Sequence, residues 1–377
     1  MKIVCDNKIP FLRGAFEPYA EVVYLPGAET TPEVVRDADA IVTRTRTICN
    51  EALLKGSSVK AIATATIGFD HIDTAWCEAA GIAWSNAPGC NSWSVKQYIS
   101  SVLAVLAGRH GLKLDTLTLG VVGVGNVGSK VAEVGRAFGM RVLLNDPPRE
   151  RVEGSDAYTD LDTLLAESDI VTLHVPLTLV GEDATWHLFD ASRIAQMRPS
   201  QILINSSRGP VVDNAALKDA LKRSALKAAV LDVWEGEPDI DPELAGLLDI
   251  ATPHIAGYSA DGKANGTTMS VRYLAGRLAL PLTDWTASGI PAPEQPLEFF
   301  LDAAGKTAQE VLTEAILYTY DVRRDSDALR SSLSSFERLR GDYPVRREPS
   351  AFTLWLRGGT RDLESRLEML GFKINIK

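Results

Sequence analysis

Leu117-Thr118-Leu119-Gly120-Val121-Val122-Gly123-Val124-Gly125-Asn126-Val127-Gly128 is the stretch on which the reading of this chain turns. An apolar run with strand character, 117–122, stops at a glycine. Gly123, Gly125 and Gly128 then follow in G-x-G-x-x-G spacing. The pattern beyond predicts a helix over 127–138 and a second strand over 141–145, ending at Asp146. A bare glycine triplet says little, but between a strand and a helix it reads as a dinucleotide-binding turn. Gly123 permits the tight turn, Gly125 lets the backbone approach a pyrophosphate, and Gly128 lets the helix pack close to the strand. The backbone at Asn126 and Val127 opens the helix, whose free N–H groups and positive dipole end suit phosphate. Asp146, 18 residues past Gly128, can accept hydrogen bonds from adenosine ribose hydroxyls and would repel a 2′-phosphate. The expected cofactor is therefore NAD rather than NADP, with Arg149 nearby as a weak counter-signal.

Outward from this turn the chain alternates short apolar strands with helical stretches on both sides. Strands are expected at 2–6, 21–25, 40–43, 59–64 and 82–86 before it, with helices at 31–36, 70–80 and 91–109. After the turn, strands are expected at 141–145, 170–174, 202–205, 228–232 and 250–252. Such alternation implies parallel sheets. Pro281, Pro291, Pro293 and Pro296 fall within sixteen residues and mark a linker. Beyond it, helices at 307–320 and 361–370 and strands at 352–357 and 373–376 form a small unit that buries little alone. The fold class is α/β: two Rossmann-like or flavodoxin-like doubly wound parallel-sheet domains, plus a small C-terminal α/β domain.

Bulk properties narrow the chemistry. The chain has 377 residues, 45% hydrophobic and 23% charged, with a formal net charge of −10. That balance argues against a nucleic-acid partner, since no excess of Lys and Arg exists to displace counterions. Cys5, Cys49, Cys77 and Cys90 form no CxxC pair and no zinc spacing, so buried reduced thiols and no metal are expected. No apolar run approaches the roughly 20 residues of a membrane span, and 1–10 has no signal-peptide core. A cytoplasmic protein without membrane contact is expected.

Three polar residues stand at or just past the ends of later strands: Arg208, Glu237 and His254. Ligands bind at the carboxyl ends of strands in open α/β sheets. Oxidising an alcohol by hydride loss also requires removing the hydroxyl proton, which histidine can take. A carboxylate behind the imidazole orients it and favours the protonated ring. A planar guanidinium can grip a carboxylate by two bonds. The expected reaction is hydride transfer between NAD and a small anionic 2-hydroxy acid.

At this point a resemblance becomes specific. Ser207-Arg208-Gly209, Gly236-Glu237-Pro238 and Pro253-His254-Ile255-Ala256-Gly257 resemble the signatures of the D-isomer-specific 2-hydroxyacid dehydrogenases. Further stretches resemble one branch of that family, which oxidises a phosphorylated four-carbon hydroxy acid. They are Thr64-Ala65-Thr66, Ala87-Pro88-Gly89-Cys90-Asn91, Asp146-Pro147-Pro148-Arg149, Leu231 to Pro238, His254 to Tyr258 and Tyr320-Asp321-Val322-Arg323-Arg324-Asp325. The resemblance implies that Arg208 binds substrate and that Glu237 supports His254 as acid/base. It implies substrate contacts at Thr45 (where serine is usual), Thr66 and Tyr258. It implies NAD contacts at Asp146, Val175, Ser206, Ser207, Arg208, Asp232 and Gly257. Val175 stands where threonine is common, and Ser206-Ser207 replaces an Ala-Cys type pair.

It also implies a discontinuous substrate domain, 1–94 with 257–286, an NAD-binding domain, 95–256, and dimerisation through 287–377. The phosphate end of such a substrate needs donors of its own, and Arg44 and Arg46, just past strand 40–43, are the candidates. Two other readings stay open: a phosphoglycerate or glycerate/hydroxypyruvate dehydrogenase with the same site, and an NAD-sensing corepressor-like scaffold.

Overall fold

A computed structural model describes residues 1–376. The chain divides into two compact units, one of residues 1–91 with 259–292, the other of residues 92–258 with 293–377.

The first unit holds a five-stranded parallel sheet of β1 (Lys2–Asp6), β2 (Glu21–Leu25), β3 (Ala40–Thr43), β4 (Ala61–Thr64) and β5 (Ala83–Ser85), in the order β2-β1-β3-β4-β5. Strand alternation builds its two faces. Ile3, Cys5, Ala40, Val42, Ala61 and Ala63 point to one side, Val4, Ile41 and Ile62 to the other. The alanines leave the first face shallow enough for the long helix Ala260–Leu278, which presses Val271, Leu274 and Ala275 onto it. The opposite face takes Val35, Leu53, Leu54 and Cys77.

The second unit repeats the topology with one more strand. Its sheet comprises β6 (Thr118–Val122), β7 (Arg141–Asn145), β8 (Ile170–Leu173), β9 (Ile202–Asn205), β10 (Ala228–Leu231) and β11 (Ile250–Ala251), all parallel, in the order β11-β10-β9-β8-β6-β7. Strand order reverses between β6 and β8, so the loops leaving these two strands diverge and open a crevice at the sheet's carboxyl end.

The last quarter of the sequence adds a parallel three-stranded sheet, β12 (Glu298–Asp302), β13 (Thr353–Arg357) and β14 (Lys373–Ile376), in the order β12-β13-β14. The sequence pattern predicts neither β12 nor the helix Val322–Ser331. This C-terminal segment does not stand apart. Phe299, Val311, Leu312, Ile316, Phe352 and Leu367 lie in one continuous core with Leu103, Leu119, Val121 and Val131 of the nucleotide-type sheet and its helices. The helix Ser92–His110 runs through that core, with fifteen of its nineteen residues buried. A helix covered on all sides needs partners for its polar groups. Ser94 donates to Glu348, Gln97 to the Arg347 carbonyl, Lys96 to Glu133 and the Met369 carbonyl, and Ser101 accepts from the Val322 N–H.

All four cysteines are buried and none is in a disulfide. Burial raises the Cys49 thiol to about 12 and lifts Cys5 and Cys77 as well, so these thiols stay protonated and inert.

Candidate active site

The glycine turn leaves β6 and enters the helix Asn126–Ala137. Gly123 has φ +85, and a Cβ there would lie 2.7 Å from the His174 carbonyl and 2.8 Å from a Val175 methyl. A Cβ on Gly128 would overlap the Gly123 carbonyl oxygen. Both glycines are thus fixed by the fold itself. Gly125 differs: a Cβ added there meets nothing within 4 Å, and its φ of −71 suits any residue. What fits at Gly125 is a close-approaching ligand. The helix N-terminus has no side-chain cap, which leaves its first N–H groups, from Asn126 onward, directed at that space. These features fit the pyrophosphate of a dinucleotide.

Asp146 joins the turn to the next element. One carboxylate oxygen accepts from the Val124 N–H at 2.8 Å, the other from the Arg149 N–H at 3.1 Å, capping the helix Pro147–Glu153. Arg149, the residue that counts against NAD in the sequence, is gripped by Glu153 at 2.7 and 2.9 Å and by the Val124 carbonyl. That guanidinium is committed, which leaves the Asp146 charge to discriminate against a 2′-phosphate. Across the crevice, desolvation lowers the His174 imidazole to about 3, so it is neutral beside the turn.

Gly125→Ala should therefore leave the thermal midpoint unchanged and raise the Michaelis constant for NAD at least tenfold, about 1.4 kcal/mol. Unchanged NAD kinetics in that variant would mean that the turn does not meet the pyrophosphate.

The three candidate residues, Arg208, Glu237 and His254, lie on consecutive loops of the same sheet. Beyond β9, Asn205 staples the Ser206-Ser207-Arg208 turn: its Oδ1 accepts from the Ser207 N–H at 3.0 Å and the Ser207 hydroxyl at 2.7 Å, and its Nδ2 donates to the Arg208 carbonyl. Arg208 donates to the Ser207 carbonyl at 2.8 Å and has no carboxylate partner among the described residues. The Ser206 hydroxyl is buried without a partner, as expected of a group reserved for a ligand. A Cβ on Gly209 would overlap the Trp234 carbonyl, so this loop lies directly against the one after β10.

In that next loop Glu237 accepts from the Trp234 N–H at 2.8 Å. Its second oxygen meets His254 Nδ1 at 2.8 Å. Nδ1 is thereby occupied, and Nε2 is the nitrogen left for a substrate proton. His254 is one-third exposed and holds φ +57, a conformation costing a non-glycine residue about 1–3 kcal/mol. Asp232 holds it there. Asp232 is 1% exposed; it accepts from the Thr252 hydroxyl at 2.6 Å and from the Ile255 and Ala256 N–H groups at 2.8 and 2.9 Å. Its own carbonyl accepts from the His254 N–H at 2.7 Å, which closes the turn that carries the imidazole. The sequence resemblance assigns Asp232 to the cofactor; in the fold its oxygens serve first to set the loop that presents His254.

The loop continues through Gly257 to Tyr258. The C-terminal segment braces it: Arg346 donates to the Ala256 carbonyl at 2.6 Å, and Tyr343 packs edge-on against the Tyr258 ring at 5.8 Å. Behind them Tyr320 and Tyr343 both donate to Asp325 at 2.7 Å, and burial raises that carboxyl. Tyr98 bonds the Thr252 hydroxyl from the other side at 2.8 Å. Sequence reasoning gives no role to Asn205, Tyr98, Asp325 or Arg346, though Asp325 ends one of the stretches that carry the resemblance.

The remaining predicted residues belong to the first unit. Arg44, Thr45 and Arg46 follow the carboxyl end of β3, and Thr66 follows β4. Arg44 donates to the Lys8 carbonyl at 3.1 Å, bridging the loops after β1 and β3 where that sheet's order reverses. Thr45 and Arg46 are exposed. Thr66 bonds the Thr64 hydroxyl and the Gly68 carbonyl, both at 2.8 Å.

Comparison with known proteins agrees with this geometry. Residues 96–256 match the D-isomer specific 2-hydroxyacid dehydrogenase NAD binding domain, and residues 295–371 match a domain of unknown function, DUF3410. The erythronate-4-phosphate dehydrogenase of Bacteroides fragilis (strain ATCC 25285) is 52% identical over 94% of this chain and 99% of its own. That of Porphyromonas gingivalis is 42% identical over 94% and 95%. Among solved structures, D-lactate dehydrogenase from Aquifex aeolicus complexed with NAD and lactic acid has a TM-score of 0.62 at 28% identity. It covers 78% of this chain and 100% of its own. The pyruvate reductase of Chlamydomonas reinhardtii has a TM-score of 0.59 at 26% identity, covering 75% and 98%. About a quarter of this chain thus has no counterpart in either structure, whereas the curated relatives match it nearly end to end. The chain belongs to the D-isomer-specific 2-hydroxyacid dehydrogenases, and within them to the erythronate-4-phosphate dehydrogenases.

Proposed function

We propose that this NAD-dependent dehydrogenase oxidises 4-phospho-D-erythronate at C2 to 2-oxo-3-hydroxy-4-phosphobutanoate, a step of pyridoxine 5′-phosphate biosynthesis. The observation that carries the reading is the His254–Glu237 pair at 2.8 Å, on the same sheet end as the Gly123–Gly128 turn and Arg208. NAD, when bound, accepts the hydride from C2. His254 Nε2 takes the C2 hydroxyl proton, so that the oxygen keeps its bonding pair and closes the carbonyl. Glu237 fixes the ring with Nε2 outward and offsets the charge the ring gains. Arg208 grips the substrate carboxylate and polarises the neighbouring oxygen. Val175, Ser206, Ser207, Asp232 and Gly257 contact the cofactor, and Thr45, Thr66 and Tyr258 contact the substrate. Arg44 and Arg46 answer the phosphate.

The test is NADH formation with 4-phosphoerythronate against a panel of plain 2-hydroxy acids and 3-phosphoglycerate. A strong preference for 4-phosphoerythronate is expected, and preference for another member of the panel would overturn the substrate. In the same assay Arg46→Ala should raise the Michaelis constant for the phosphorylated acid and leave that for NAD unchanged.

The first unit serves as the substrate domain and residues 95–256 as the cofactor domain. The C-terminal segment pairs with its twin in a homodimer. An aromatic pair on that small sheet supports this pairing: Phe300, 61% exposed, stacks on Trp355 at 6.0 Å. No helix among the described residues is long and apolar enough to cross a membrane, and the setting is the cytoplasm.

A further inference from the structure

The C-terminal segment reaches the catalytic loop with more than its buried brace. The short helix Phe336–Gly341 carries Arg340. Its guanidinium carbon lies 5.8 Å from the centre of the Tyr258 ring and 5.9 Å from that of Phe336, within cation–π range of both. Tyr258 is four residues past His254 in one loop. Arg340 donates to Glu337 at 3.2 Å, a carboxylate half open to solvent. Its Nε is buried and has no partner. A buried unpaired donor on a charged group is costly unless something fills it.

Arg346, the neighbouring arginine, shares the unpaired buried Nε but is 5% exposed and donates to the Ala256 carbonyl and the Tyr343 hydroxyl, so no ligand can reach it. Arg340 is one-quarter exposed. Burial by itself would loosen its proton, but Tyr258, Glu237 and Glu337 outweigh that and raise its pKa, which places the guanidinium within electrostatic reach of the catalytic carboxylate.

We propose that Arg340 is a specificity-determining residue that binds the phosphate group of the substrate. This rests on the substrate proposed above. A phosphate monoester carries about −1.5 to −2 charges near neutral pH and offers three acceptor oxygens. Arg208 answers the carboxylate beside the reacting carbon; the phosphate, to which Arg44 and Arg46 are assigned above, has enough acceptor oxygens for a further planar fork near Tyr258. The two solved structures compared above are named for lactate and pyruvate, acids without a phosphate. They leave unmatched about a quarter of this chain, a share similar in size to the segment that supplies Arg340.

The test compares Arg340→Ala and Arg340→Lys with the parent enzyme on 4-phosphoerythronate and on unphosphorylated erythronate, with NADH binding and thermal midpoint as checks on folding. Arg340→Ala should raise the Michaelis constant for 4-phosphoerythronate about thirtyfold or more, change kcat less than about threefold, and leave erythronate kinetics nearly unaltered. Arg340→Lys should recover part of the loss, and it carries the comparison if the alanine variant does not fold. Equal losses on both acids would make Arg340 a positioning residue acting through Tyr258 or Glu237, and would overturn the proposal. So would no loss on either. A parent enzyme indifferent to 4-phosphoerythronate overturns the proposed substrate together with this inference. A parent that uses it, with an unchanged preference in the variants, overturns the inference alone.

Discussion

Replacing His254 with alanine should lower kcat by about 10²–10⁴, the range set by losing a positioned acid/base, while NAD affinity stays within about twofold of the parent. The geometry separates these two outcomes. The imidazole meets Glu237 through Nδ1, whereas the dinucleotide turn is built from Gly123 to Gly128 and Asp146, none of which bonds to His254. Glu237→Gln should cost less than His254→Ala, because an amide can still accept from the ring. Stopped-flow hydride transfer and NADH fluorescence titration would check both. Turnover at the parent rate in His254→Ala would remove His254 from the chemistry.

Asp232→Ala should be the most destabilising single change in the site. It strands the buried Ile255 and Ala256 N–H groups and leaves the Thr252 hydroxyl with Tyr98 as its one remaining side-chain partner. At about 1–3 kcal/mol for each unpaired buried group, a loss of about 3 kcal/mol or more is expected. At about 2.1 cal/mol/K of unfolding entropy per residue, a chain of 377 residues then loses roughly 4 °C or more of thermal midpoint. Activity should fall further than stability explains, because the same bonds hold His254 at its positive φ. Calorimetry with assays well below the new midpoint separates the two effects. A variant with an unchanged midpoint would show that the loop is set by something else.

The sequence made the sheets legible because their strands are short apolar runs between turn residues. It made the cofactor turn legible because backbone chemistry fixes glycine spacing. Arg208, Glu237 and His254 stand out as candidates in the sequence because strand ends are where such folds place ligands. The role of Asp232 could not. Nothing in Leu231-Asp232-Val233 tells that its oxygens are taken by N–H groups more than twenty residues later. β12 escaped because Glu298-Phe299-Phe300-Leu301-Asp302 follows a proline-rich stretch and alternates weakly, with aromatic side chains on both faces. The helix Val322–Ser331 is strongly polar and shows the core only Val322, Ser326 and Leu329. Arg340 and Arg346 read as ordinary surface charges until folding brings them to Tyr258 and Ala256.

The shared core also has a bearing on how the chain is made. The helix Ser92–His110 emerges from the ribosome long before Phe299, Leu312 and Phe352, which complete its covering. A nascent chain halted in the proline-rich stretch would display that helix's apolar flank to the cell, where chaperones and proteases act on such surfaces. Trimming the molecule to the size of its shorter cousins is therefore closed to this sequence unless the newly bared flank is rewritten in polar residues.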